Sequence, residues 1–75
     1  MDITRFVELF AAQFEDTPAE EFQPETKFRE LEEWDSLTAL SVIAMVDEEM
    51  SIRITGEDIR NSNTIEELFS KIQAK

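Results

Sequence analysis

Apolar residues recur at helical spacing from the start of the chain, at Ile3, Phe6, Val7, Phe10, Ala11 and Phe14. That stripe predicts an amphipathic helix from about Asp2 to Asp16, with Asp2 as its N-cap. Thr17-Pro18 ends it, because the residue before a proline is pushed away from helical angles. Thr17 and Glu20 are spaced to cap one further turn. From there to Asp35 no period holds, and Phe22, Phe28, Leu31 and Trp34 stand singly among charges. A loop this long needs a function or internal packing, and its aromatic residues point to anchors on a core.

Periodicity returns between Ser36 and about Met50, where Asp35 is the expected N-cap. Ala39, Leu40, Val42, Ile43, Val46 and Met50 form a wide apolar arc, which marks a central helix packed on more than one side. Leu37, Ser41, Met45 and Glu48 fall along the opposite line, so Leu37 and Met45 are expected to be exposed. Ile52 and Ile54 then alternate with polar residues in a short extended connector. A brief helix is expected over Thr55 to Asn61, with Thr55 and Asp58 as a cap pair and Ile59 facing inward. In the last helix Thr64 and Glu67 have capping-box spacing, Ile65, Leu68, Phe69 and Ile72 form the stripe, and Lys71 and Lys75 suit the C-terminal end. The pattern predicts an all-α fold, a small four-helix bundle with three longer helices and one short one. Residues 1–75 are expected to form a single domain.

Composition narrows the chemistry. A core built from 75 residues supplies only ~3–5 kcal/mol of net stability. The chain has no cysteine and no histidine, which removes thiolate chemistry, the usual general base and the commonest metal ligands. Eighteen acidic against seven basic residues give a formal charge of −11, which repels nucleic-acid phosphates and anionic lipids and favours basic protein surfaces. The longest aliphatic run, Val42 to Val46, is far short of the ~20 residues that span a bilayer, and the opening residues lack the pattern of a signal peptide. A cytoplasmic monomer without nucleic-acid or membrane partners is expected. The carboxylates do not make a calcium loop, since the only glycine, Gly56, is misplaced for one.

One segment stands out: Glu33-Trp34-Asp35-Ser36-Leu37, where a serine follows a helix-capping aspartate. Its hydroxyl would lie at the positive end of a helix dipole, where a phosphate is stabilised. A plain capping pair is the simpler reading of the dipeptide alone.

With these residues the chain resembles the acyl carrier protein family, over essentially its whole length. The resemblance rests on Asp35-Ser36-Leu37 at the head of an apolar-rich helix, Phe28 and Glu30-Leu31 before it, and Asp47-Glu48-Glu49-Met50 closing it. Ile54 before a short acidic turn and Thr64-Ile65 opening the last helix complete the set. The resemblance implies that Ser36 receives a 4'-phosphopantetheine arm from coenzyme A by way of a phosphopantetheinyl transferase. It implies that the arm's thiol carries acyl groups as thioesters, that the chain itself is no enzyme, and that partner enzymes transfer and modify the cargo.

By the same resemblance Asp35 and Leu37 would meet the transferase, and the helix after Ser36 would present Ser41, Met45, Asp47, Glu48 and Glu49 to other partners. Between Glu30 and Met50 there are seven acidic residues and no basic one, a field that speeds association with basic patches. A sheltered acyl chain would be lined by Phe28, Ala39, Leu40, Ile43, Val46, Ile54, Ile59 and Leu68. Thr38 and Ser41 are neutral where fatty-acid carriers commonly place acidic contacts. Trp34 replaces a smaller residue, and Ser62 stands where an aliphatic one would extend the core. The implied pathway is fatty acid biosynthesis, with a dedicated acyl, polyketide or aminoacyl pathway as the alternative. An acidic helical interaction module without a prosthetic group is the rival from another class.

Overall fold

The computed structural model describes residues 1–75 as four helices with no strand: α1 Ile3–Ala11, α2 Ser36–Met50, α3 Gly56–Arg60 and α4 Ile65–Gln73. Short 3₁₀ turns at Ala19–Glu21 and Phe28–Glu30 interrupt the loop between α1 and α2. The all-helical bundle expected from the pattern is therefore the observed fold.

In α1 the Asp2 carboxylate accepts the Arg5 amide at 2.9 Å, and Phe6 and Phe10 are fully buried. The helix ends at Ala11 and not near Asp16. Its last turn tightens, with the Gln13 and Phe14 amides donating to the Phe10 and Ala11 carbonyls. The cause lies outside the helix: the Glu33 carboxylate accepts the amides of Glu15 (2.8 Å) and Asp16 (3.1 Å) and the Thr17 hydroxyl (2.6 Å). Non-local acceptors thus replace helical ones and turn the chain so that Phe14 still packs inward. Because the Thr17 side chain donates to Glu33, it does not cap the next turn, which begins after Pro18 without a side-chain cap.

The loop aromatics are anchors, as their spacing suggested. Phe22 and Phe28 are buried, and Leu31 and Trp34 are half-buried against the core. Phe10 is the hub: its ring lies 5.3 Å from Phe28, 5.7 Å from Phe14 and 6.4 Å from the Trp34 ring, which is nearly parallel to it. Aromatic pairs in such arrangements add about 0.5–1.5 kcal/mol each beyond burial. The loop is also strapped to α4. The Ile65 and Glu66 amides donate to Thr26 and Pro24 carbonyls, and Arg29 donates to the Ser62 carbonyl and the Asn63 side chain.

α2 begins and ends where the pattern placed it and packs on α1 and α3. Its inward face departs from the expected one at two positions, Leu40 and Met45, while Leu37 is exposed as expected. Met45 is buried at 5% exposure, whereas Leu40 is 61% exposed and Leu37 74%. Leu40 precedes Val42 by two residues, roughly 200° of helix rotation, so it faces away, while Met45 falls only about 60° from Val42. Apolar residues continue around the helix at Leu37, Leu40 and Ala44, so hydrophobicity alone did not fix which line faces the core. Past Met50, Ser51 takes a left-handed conformation (φ 56°) and donates its amide to the Asp47 carbonyl, ending the helix.

The extended connector brings in Ile54, and α3 opens with a reciprocal cap between Thr55 and Asp58. In α4 Thr64 accepts the Glu67 amide, but the Glu67 carboxylate accepts the Asn63 amide, one residue before the expected partner. Lys71 donates to the Asn61 carbonyl and Lys75 pairs with Asp58 at 3.1 Å, so both tie α4 to α3. Ser62 is fully buried and satisfied, its hydroxyl donating to the Asp58 carbonyl at 2.9 Å. A polar residue is tolerated there because it finds that acceptor.

Candidate functional site at the head of the central helix

The head of α2 is built by Asp35, whose extended backbone turns the chain into the helix. Its carboxylate accepts the Thr38 amide at 2.8 Å and lies 2.9 Å from the Thr38 hydroxyl. Those bonds, the amide first, hold the Asp35 carboxyl below its ordinary value. Two residues earlier, the Thr17 hydroxyl and then the Glu15 and Asp16 amides hold the Glu33 carboxyl below the usual range as well. The segment from Glu33 to Asp35 is thereby fixed at both ends, to the end of α1 and to the first turn of α2. Trp34 between them stacks on Phe10 and meets Phe28 edge-on at 5.0 Å. It is a packing anchor.

Ser36, the first residue of α2, is exposed, and its hydroxyl has no hydrogen-bond partner in the protein. Asp35 does the capping, which leaves this oxygen outside the cap and near the positive end of the helix dipole. An unengaged primary alcohol there fits a phosphodiester, since it can be esterified without breaking any internal bond. Beside it runs a groove of about 350 Å³ lined by Arg29, Trp34, Asp35, Ser36, Ala39, Gly56, Ile59 and Arg60.

The other predicted positions divide. Leu37, Asp47, Glu48 and Glu49 are exposed along α2 with Ser36, and Ser41 is half-buried. Met45 belongs to the core, so it is withdrawn from the expected partner-facing set, and Leu40 is exposed in its stead. Leu40 is correspondingly withdrawn from the acyl-pocket set. Of the remaining pocket candidates, Phe28, Val46, Ile54, Ile59 and Leu68 are buried and Ala39 and Ile43 half-buried within one hydrophobic cluster. Only Ala39 and Ile59 among them reach the groove beside Ser36. The largest cavity, about 500 Å³, lies elsewhere, between α1 and the following loop around Val7, Ala11, Phe14 and Phe22.

Sequence reasoning missed Glu33 as the tie between α1 and the site, and missed Arg29, Gly56 and Arg60 on the groove. A short-range pattern cannot show any of them, because each acts on residues many positions away. A small helical bundle that offers an uncommitted hydroxyl at the tip of its central helix has the build of a carrier. The family described as "phosphopantetheine attachment site" matches residues 4–71, and the chain belongs to it. Members of this family carry covalently attached 4'-phosphopantetheine and work with phosphopantetheinyl transferases and acyl-handling enzymes. No curated protein and no solved structure matches the chain. No helix is long and apolar enough to cross a membrane.

Proposed function

We propose that residues 1–75 form one acyl carrier domain whose attachment point is Ser36. The observation that carries this reading is the exposed, unpartnered Ser36 hydroxyl at the head of α2, in a chain of the phosphopantetheine attachment family. On loading, the Ser36 Oγ–H bond is exchanged for an Oγ–P bond to the phosphopantetheine half of coenzyme A. The pyrophosphate bridge breaks, the adenosine bisphosphate half leaves, and the serine proton passes to the transferase. Chemistry on the thioester belongs to partner enzymes, and the chain itself supplies an anchor and a docking face. That face consists of Asp35, Leu37, Leu40 and Ser41 near the serine and Asp47, Glu48 and Glu49 at the far end of α2. Its sign suits basic partner patches.

Fatty acid biosynthesis in the cytoplasm, served by a monomer, is the pathway reading. Neutral Thr38 and half-buried Ser41 favour a dedicated acyl, polyketide or aminoacyl pathway as the second reading, because both stand where acidic contacts are usual. Incubation with coenzyme A and a broad-specificity transferase, followed by intact-mass measurement, tests the attachment. One phosphopantetheinyl group should add to the wild type and none to Ser36→Ala. An unchanged wild-type mass, or equal gain in both, would favour the plain interaction module. Intact mass of protein from its native cell then reports the cargo and separates the pathways.

A further inference from the structure

The loop after α1 folds back alongside it, and the two walls enclose the groove of about 500 Å³ noted above. Val7 and Ala11 each follow a core phenylalanine by one residue, about 100° further round the helix, so they sit on the flank of α1 and not on its buried face. Facing them, Phe22 packs on Phe14 with ring centroids 4.8 Å apart, and exposed Ala12 and Ala19 put only methyl groups on the lining. The loop wall is fastened: the Glu66 amide donates to the Pro24 carbonyl at 2.8 Å and the Thr26 hydroxyl to the Glu21 carbonyl at 3.0 Å. The groove is therefore preformed, at a size typical of ligand sites.

Its surroundings select the occupant. Six exposed carboxylates, Glu8, Glu15, Asp16, Glu20, Glu21 and Glu25, lie between Thr4 and Glu25, against one cation, Arg5, which is already paired with Glu8 at 3.3 Å. A free fatty acid or an anionic lipid meets repulsion there, and so does a second copy of a chain with net charge −11. A neutral apolar molecule gains nothing from the carboxylates. A segment with apolar side chains along one line and cations beside it gains on both counts.

We infer that this groove is a second docking surface and that it takes a basic amphipathic helix of a partner protein. Leucine-type side chains of that helix lie between α1 and the loop, and its lysines or arginines face the carboxylates. The surface is separate from the α2 face. No residue of α2 lines it, it shares no residue with the groove beside Ser36, and the rings of Phe14 and Trp34, 6.3 Å apart, stand between the two. A partner held here leaves Ser36 open to other proteins, and the docking does not depend on what Ser36 carries.

The probe is a synthetic leucine–lysine amphipathic peptide of roughly 14 residues, about four helical turns, with two controls, one with glutamate for lysine and one with serine for leucine. Titrated into isotope-labelled protein, it should shift the amides of Val7, Ala11, Ala12, Phe22 and Gln23 before those of Leu37 and Leu40, with affinity falling as salt is added. Ala12→Arg places a long cation on the groove at an exposed helix-end position and should weaken binding about tenfold. Ala19→Arg, on the opposite wall, should repeat the loss, and both variants should keep the wild-type circular dichroism. Shifts centred on Leu37 and Leu40, equal binding of either control peptide, or unchanged affinity in both arginine variants would overturn the proposal. Octanoate displacing the peptide at comparable affinity would overturn it too, since the occupant would then be a small apolar anion. None of these outcomes bears on Ser36 loading, which the mass measurement tests separately.

Discussion

Exchanging Leu40 and Met45 between exposed and buried roles makes the rotation of α2 the sharpest point to test, through Leu40→Ala and Met45→Ala. Each substitution removes three heavy atoms beyond Cβ. Met45 is 5% exposed, so losing those atoms costs about 0.8 kcal/mol apiece, or about 2.4 kcal/mol, before any cavity term. Leu40 is 61% exposed, and scaling by the covered remainder leaves about 0.9 kcal/mol, reduced a little further by alanine's helix propensity. The difference is therefore about 1.5 kcal/mol before any cavity term, which in a domain of this size separates the two melting temperatures by roughly 6–12 °C. Thermal and urea unfolding of the two variants beside wild type measure it directly. With net stability of ~3–5 kcal/mol, Met45→Ala should keep only a thin margin. Equal losses, or a larger loss for Leu40→Ala, would refute the observed rotation and return Leu40 to the interior.

Three further outcomes are expected. Ser51→Gly should raise stability by about 0.5–1 kcal/mol, because glycine takes the left-handed φ of 56° without the Cβ conflict; a lower melting temperature would show that the serine side chain has an unseen role. Glu33, Asp35 and Asp58 all have lowered carboxyl values in the fold, Asp58 through the Thr55 amide and then Lys75. Their stabilisation is thus fully present above the ordinary values of 4.5 and 3.8 and is lost as pH falls below them, so melting temperature should drop on acidification and drop less steeply in Glu33→Gln. Finally, a net charge of −11 on 75 residues implies self-repulsion, so added salt should raise the melting temperature, and a flat salt series would count against it.

Local signals carried most of the architecture. Asp2, Asp35, Thr55 and Thr64 each cap the helix they precede, because a cap is written within four residues of sequence. The isolated aromatics of the loop were readable as anchors for a similar reason: a large apolar side chain among charges has few alternatives to burial. What failed was set by distant partners. The early end of α1 depends on Glu33, eighteen residues beyond Glu15. The face of α2 was ambiguous because apolar residues occupy both sides of it, Leu37 and Leu40 on one and Val42, Met45 and Val46 on the other, and only the positions of α1 and α3 decide which side is covered. The serine was legible as a helix-head hydroxyl, while the groove beside it needed α3 brought back across the loop.

The two exposed leucines acquire meaning from this arrangement. Leu37 and Leu40 remain uncovered, at 74% and 61%, although a core this small would gain stability from any apolar residue it could bury. The helix that presents them is fixed from below by Val42, Met45 and Val46 and at its head by the Asp35 cap, so their positions relative to Ser36 do not drift. On the proposed docking face, apolar contacts on a rigid helix would supply affinity, and the acidic residues at its far end, Asp47, Glu48 and Glu49, would act over longer range on encounter rate. Reversing Glu48 and Glu49 to lysine should therefore slow association with a basic partner and weaken its salt dependence, whereas Leu37→Ala should mainly speed dissociation. Stopped-flow measurement with the transferase separates the two, and a charge reversal that changed only dissociation would show that these carboxylates make contacts instead of steering.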